Sequence, residues 1–164
     1  MPRVHTYDVG VTWTGNRGSG TSSYHDYDRI HEVTASGRPS IQGSSDAAFR
    51  GDGDRWNPEL LLLAALSECH MLWYLHLAAT TGVVVTAYAD AATATMHEHD
   101  DGGGEITLVV LHPTVDVADG AMVEAAVALH EEANQLCFIA RSVVFPVHHE
   151  PVVNFSPPPQ DQAE

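Results

Sequence analysis

The segment LLLLAALSECHMLWYLHLAA, residues 60–79, constrains this chain more than any other. It follows Asn57-Pro58-Glu59, where Asn is a good helix N-cap, Pro is favoured at the first helical position and Glu complements the positive end of the helix dipole. A helix is predicted from there to about Thr81, stopping at Gly82. Its side chains are apolar nearly all round, so it must cross a membrane or be buried on every side. Glu68, His70 and His76 would be costly in lipid, and no cluster of Lys or Arg flanks the segment to orient it, which favours burial in protein. A chain of 164 residues can hardly enclose such a helix alone. Burial against a second copy, in a homodimer, is the expectation.

The remaining elements surround that helix. Tyr7, Val9, Val11 and Trp13 alternate with polar or small residues, the period of a half-buried strand, and TGNRGSGT supplies a turn. Tyr24, Tyr27, Ile30 and Val33 suggest a second strand, and residues 35–55, rich in Gly, Ser and Asp, read as a long irregular loop of the kind that carries function. Residues 83–96 read as a strand, and HEHDDGGG turns into another over 105–111. Met122, Ala126, Leu129, Ala133 and Leu136 recur at helical spacing after Asp119, a plausible cap, with Cys137 at the helix end. A short helical turn over 138–142, a last strand over 143–147 and a disordered tail over 156–164 complete the chain. This is one α+β domain over residues 1–155.

Charge and cysteine usage narrow the function. Twenty-two acidic residues face seven basic ones, all arginine, and a formal net charge of −15 argues against nucleic acid and anionic lipid as partners. The N-terminal MPRVHTYDVG has no apolar stretch of a secretory signal, so a cytoplasmic, reducing setting is expected. Two cysteines 68 positions apart in that setting are unsuited to a permanent staple or a zinc knuckle. They are either inert core thiols or a redox pair. Cys69 lies about three turns inside its helix, where the dipole helps little, so a reactive thiolate there needs an arginine.

The ordered set WTGNRGSGT, FRGDGDRWNPE, the Cys69 of ALSECHMLWYL and finally LCFIARSV resembles the OsmC/Ohr family of organic-hydroperoxide peroxidases. The resemblance spans nearly the whole chain and rests on order and spacing. It implies an intertwined α+β homodimer, with long central helices packed between curved sheets and two active sites at the dimer interface. It also implies that Cys69 attacks the O–O bond and becomes a sulfenic acid, and that Cys137 condenses with it to a disulfide. No cofactor is implied. An external dithiol, often that of a lipoylated protein in the Ohr branch, would regenerate the enzyme. The implied arginine maps to Arg50, shortly before NPE, in the OsmC manner, or to Arg17, in TGNRG, in the Ohr manner; Arg50 is favoured, and Glu59 of NPE would hold it.

Spacing adds three points. Ten helical residues separate Glu59 from Cys69 by about 15 Å, too far for one guanidinium to touch both, so Glu59 of one chain would serve the arginine beside Cys69 of the other. Cys69, Trp73 and His76 share a helix face, where Trp73 would wall an apolar substrate pocket. His76 is either a core histidine or a proton donor to the departing alkoxide. Glu68 is turned about 100° from Cys69.

Metal binding is a second reading, because His97, His99, His112, His130, His148 and His149 offer nitrogen donors, but none has a recognisable ligand spacing. A third is a family member that binds a small ligand without efficient peroxidase turnover. The apolar neighbours of Cys69 favour organic hydroperoxides over hydrogen peroxide.

Overall fold

The computed structural model describes residues 3–155, so the tail expected over 156–164 lies outside the described residues. Helix α1 spans Pro58–Thr81. Asn57 caps it, its Oδ1 accepting the Leu60 N–H at 2.8 Å and its carbonyl accepting the Leu61 N–H at 3.1 Å. At the other end Gly82 takes φ +83°, and the Val83 N–H reaches back to the Ala78 carbonyl at 2.9 Å, the glycine-terminated ending that satisfies the last carbonyls.

The chain divides into two units, Met1–Leu61 and Leu62–Glu164. In the first, strands β1 (Gly10–Trp13), β2 (His31–Thr34) and β3 (Ile41–Gly43) form an antiparallel meander, with Val11 opposite Val33 and Val33 opposite Ile41. The expected first strand is thus trimmed to four residues, all exposed. The region 35–55, read as irregular, contains β3 and a 3₁₀ turn at Ala47–Phe49 capped by the Asp46 side chain. Its short run Ile41-Gln42-Gly43 gives too little alternation for a periodicity argument to detect.

The second unit holds two three-stranded sheets. Strands β4 (Val85–Asp90) and β5 (Thr93–Glu98) are the two halves of the segment read as one strand, and they pair with β7 (Pro113–Val117) and β6 (Gly104–Leu111). Register runs through the break, with Asp90 opposite Pro113 and Thr93 opposite Val110, so this is one long hairpin bent at residues 91–92 and 112. Asp90 secures the bend: its carboxylate accepts the His112 N–H at 2.7 Å and the Ser67 hydroxyl of α1 at 2.5 Å. Strands β8 (Val147–His149) and β9 (Val152–Phe155) add in parallel to β6 and β7. One final strand was expected over 143–147; instead β8 begins only at Val147, after a 3₁₀ turn at Ala140–Ser142, and β9 follows it.

Asp119, expected to cap the second helix, caps the 3₁₀ turn Gly120–Met122 that leads into it, its Oδ1 accepting the Ala121 N–H at 2.9 Å, and helix α2 (Val123–Leu136) follows without a side-chain cap of its own. Buried positions on α1 are Leu66, His70, Tyr74, Leu77 and Ala78, a stripe at steps of four and three. Tyr74, Leu77 and Ala78 join Ala126, Leu129 and Ala133 of α2 and Val115 and Val117 of β7 in one core, while Leu66 packs with Val109 and Leu111 in another. Within one chain, therefore, α1 buries a single stripe. Leu72 remains 61 % exposed, although the helix is long and apolar enough to cross a bilayer by length and composition.

Because Asn57 satisfies an orphan donor at the start of α1, Asn57→Ala should lower stability by about 1 kcal/mol. Urea unfolding followed by circular dichroism checks this, and an unchanged midpoint would contradict it.

Candidate active site

Both cysteines are in the second unit and both are free thiols. Cys69 is partly exposed on the middle of α1, whereas Cys137 closes the C-terminus of α2 and is 1 % exposed. The structure brings them together. Burial first, and then hydrogen bonding with Cys69, push the Cys137 thiol up to about 11, while the Ala140 N–H, 3.4 Å from its sulfur, acts in the opposite direction. At neutral pH Cys137 therefore stays protonated beside Cys69.

Helix packing produces this meeting. Cys69 lies by Cys137, His70 bonds His130, and the Tyr74 hydroxyl donates to the Ala126 carbonyl at 3.1 Å. Partner numbers on α2 fall as those on α1 rise, so the helices run antiparallel. Trp73, one turn after Cys69, stands edge-on to Phe138 with ring centroids 5.4 Å apart, and Phe138 is next to Cys137. An aromatic pair thus flanks the two thiols. Phe138 was missed in the sequence because nothing in its spacing connects it to Trp73. His76 is exposed within the single chain, its ring edge-on to Trp73 at 5.7 Å, on the helix face it was expected to share with Trp73 and Cys69. Glu68 is exposed, as its turn away from Cys69 predicts.

Arg50, Arg17 and Glu59 lie in the first unit. Arg50 is exposed and takes a left-handed backbone, φ 63°, where it ends the turn at Ala47–Phe49. Arg17 donates to the His25 carbonyl and lies 3.7 Å from Asp28. Among the described residues neither forms an ion pair with Glu59, whose Oε2 is buried with no hydrogen-bond partner. Arg55 is held by Asp52 and Gln42.

A histidine cluster accompanies the thiols. His70 and His130 are fully buried, with Nε2 of one 3.0 Å from Nδ1 of the other and ring planes only 8° apart at a centroid separation of 5.3 Å. That is an edge-to-edge hydrogen bond in a common plane. His149 packs against His70 at 5.6 Å, and Tyr74 covers the His130 ring at 4.0 Å. Burial, then the neighbouring His149, lower His70 to about 4, with Asp90 opposing; burial, His70 and His149 lower His130 to about 3. Both rings are neutral, one donating and one accepting. No group of three or more His, Cys, Asp or Glu side chains is arranged to hold a metal ion among the described residues. His130 and His149 come from separate elements, so sequence spacing gave no hint of the cluster.

The cluster makes stability depend on pH. An unfolded histidine protonates near about 6.5, so between there and about 4 the unfolded chain binds protons that the folded chain refuses. Stability is full above that range and falls with acidification by about 1.4 kcal/mol per pH unit for each such histidine. Thermal melts from pH 7 to 4.5 should show a falling Tm, with a shallower fall in His130→Phe; identical slopes would contradict the assignment.

A sequence profile of the OsmC-like protein family matches residues 51–151. A comparison with curated proteins finds no match. Among solved structures, an OsmC-like protein of unknown function from Vibrio cholerae is 28 % identical, with a TM-score of 0.81 over 91 % of this chain and 100 % of that one. An organic hydroperoxide resistance protein from Elizabethkingia anophelis is 19 % identical, with a TM-score of 0.69 over 95 % of this chain and 100 % of that one. An organic hydroperoxide resistance protein, OsmC, from Legionella pneumophila is 18 % identical, with a TM-score of 0.66 over 93 % and 98 %. The latter two share the fold. With the profile covering most of the chain, and with the motif order and α+β fold in agreement, the chain belongs to the OsmC-like family, the OsmC/Ohr family of its sequence resemblance.

Proposed function

We propose that the protein is a two-cysteine thiol peroxidase that reduces organic hydroperoxides to alcohols. The Cys69 thiolate attacks the terminal peroxide oxygen, and its electron pair breaks the O–O bond. The alkoxide leaves, takes up a proton and departs as the alcohol, while Cys69 becomes a sulfenic acid. Cys137 then attacks the Cys69 sulfur, losing its proton, and hydroxide leaves as water. The resulting disulfide is reduced by thiol–disulfide exchange with an external dithiol, such as that of a lipoylated protein, which supplies the two electrons and two protons and leaves as a disulfide.

The observation that carries this reading is the meeting of the two thiols in one chain, with Cys137 held as a protonated thiol by burial and by Cys69. The half-exposed position of Cys69 fits the attacking role, and the buried one of Cys137 the role of a thiol kept from solvent until needed. Trp73 and Phe138 supply apolar surface for the alkyl group.

A cation has to stabilise the thiolate. Arg50 remains our first assignment, because it is exposed and has no carboxylate partner among the described residues, whereas Arg17 is engaged by Asp28 and His25. The orphaned oxygen of Glu59 supports a role in holding that arginine across a homodimer. Exposure of Leu72 on α1 and of Val144, at 100 %, supports the same assembly. We place the protein in the cytoplasm, where dithiol reductants are maintained.

Steady-state reduction of cumene hydroperoxide with a dithiol should vanish in Cys69→Ser. In Cys137→Ser a single turnover should survive and leave Cys69 as a trappable sulfenic acid. Hydrogen peroxide should be the poorer substrate. Undiminished turnover in Cys69→Ser would overturn the assignment.

A further inference from the structure

The first unit contains a cleft of about 320 Å³ lined by Trp13, Thr21, Tyr27, Arg29, Ser44 and Pro58, among others. Arg29 is unlike the other arginines of this unit. Its guanidinium lies 4.3 Å from the Tyr24 ring centre and 4.1 Å from that of Tyr27. Two of its N–H groups donate to the Tyr27 and Tyr24 carbonyls, at 2.6 and 2.8 Å.

Carbonyls and ring faces carry only partial charges, so the cation is held in place without being neutralised. Five N–H donors less the two in use leave three. In a chain with 22 acidic residues and seven arginines, a half-buried arginine without a carboxylate partner among the described residues is unexpected. Nearby acids are engaged elsewhere: Asp26 with Ser22, Asp28 with Arg17 and Glu32 with Gln42. A second arginine without a carboxylate partner among the described residues, Arg50, leans on the same Tyr24 ring at 5.8 Å. Two like charges on one ring are a local source of repulsion that an anion relieves.

Several of the cleft's other polar groups are engaged internally. Trp13 Nε1 donates to the Asp28 carbonyl, the Ser44 hydroxyl accepts the Asp52 N–H, and Ser45 donates to the Phe49 carbonyl. The cleft thus sets a fixed guanidinium, with Thr21 and His31 also on the lining, against an aromatic wall of Trp13 and Tyr27, whose rings meet edge to face at 5.8 Å.

We propose that this cleft binds a small organic carboxylate. Its two oxygens would take the free edge of the Arg29 guanidinium as a paired acceptor, and its apolar body would lie along Trp13, Tyr27 and Pro58. The site is complete within the first unit and does not depend on the thiol chemistry.

Isothermal titration of the full-length reduced protein with hexanoate and with hexan-1-ol tests this. Hexanoate should saturate one site per chain and bind about tenfold or more tightly than hexan-1-ol, since the two differ in the charged head that Arg29 recognises. Arg29→Gln should lose that preference, while Arg17→Gln keeps it, and excess inorganic phosphate should not displace hexanoate. Equal binding of acid and alcohol, no saturable binding, displacement by phosphate, or an unchanged preference in Arg29→Gln would each overturn the proposal. The comparison of acid and alcohol needs no variant, so a folding defect in Arg29→Gln does not blunt it. Cys69→Ser should bind hexanoate as the wild type does, which separates failure here from failure of the peroxidase reading.

Discussion

Antiparallel packing of α1 on α2 is the arrangement on which the proposed thiol chemistry depends. Leu66, His70, Tyr74 and Leu77 form the only buried stripe of a helix that is otherwise apolar on its open sides. Two polar pegs fix its register on α2: the in-plane bond between His70 and His130, and the Tyr74 hydroxyl on the Ala126 carbonyl. Removing either imidazole would leave its partner buried and unpaired, a loss of about 1–3 kcal/mol, so the register is guarded against slippage. Cys69 is adjacent to His70, and Cys137 lies about two turns beyond His130, so the same register presents one thiol to the other.

That placement makes the cysteines chemically unequal. Cys137 is enclosed at the end of α2 and kept as a thiol, whereas Cys69 has access to solvent from the middle of α1. In the proposed cycle the inequality gives the order of events: the accessible sulfur meets the peroxide, and the enclosed one reacts only after its neighbour has become an electrophile. The apolar faces that α1 leaves open, together with the orphaned Glu59 oxygen, are the features a second copy would complete in this account.

Much of this was legible in the sequence where local chemistry dominates. Asn57-Pro58-Glu59 and Gly82 bracket α1 because capping depends on neighbouring backbone groups, and the steps of four and three from Met122 to Leu136 mark α2 for the same reason. The ordered motifs around both cysteines carried the family. What depends on distant partners was hidden. The bend at residues 91–92 needs Asp90 to meet Ser67 and His112, and β3 is a three-residue strand that pairs with β2 across a loop. Burial of His70 was foreseen only as part of an all-round apolar helix; its bond to His130, sixty residues away, and the approach of His149 follow from topology. The face shared by Trp73 and His76 was legible from helical spacing, and their rings meet edge-on at 5.7 Å.

The most direct test of the central claim is mass spectrometry of the reduced protein after one equivalent of an organic hydroperoxide. The account predicts a single disulfide joining Cys69 to Cys137 of the same chain, because both thiols meet within one unit. Cys69 carried on to sulfinic acid with Cys137 still free, or a disulfide joining two chains, would contradict it.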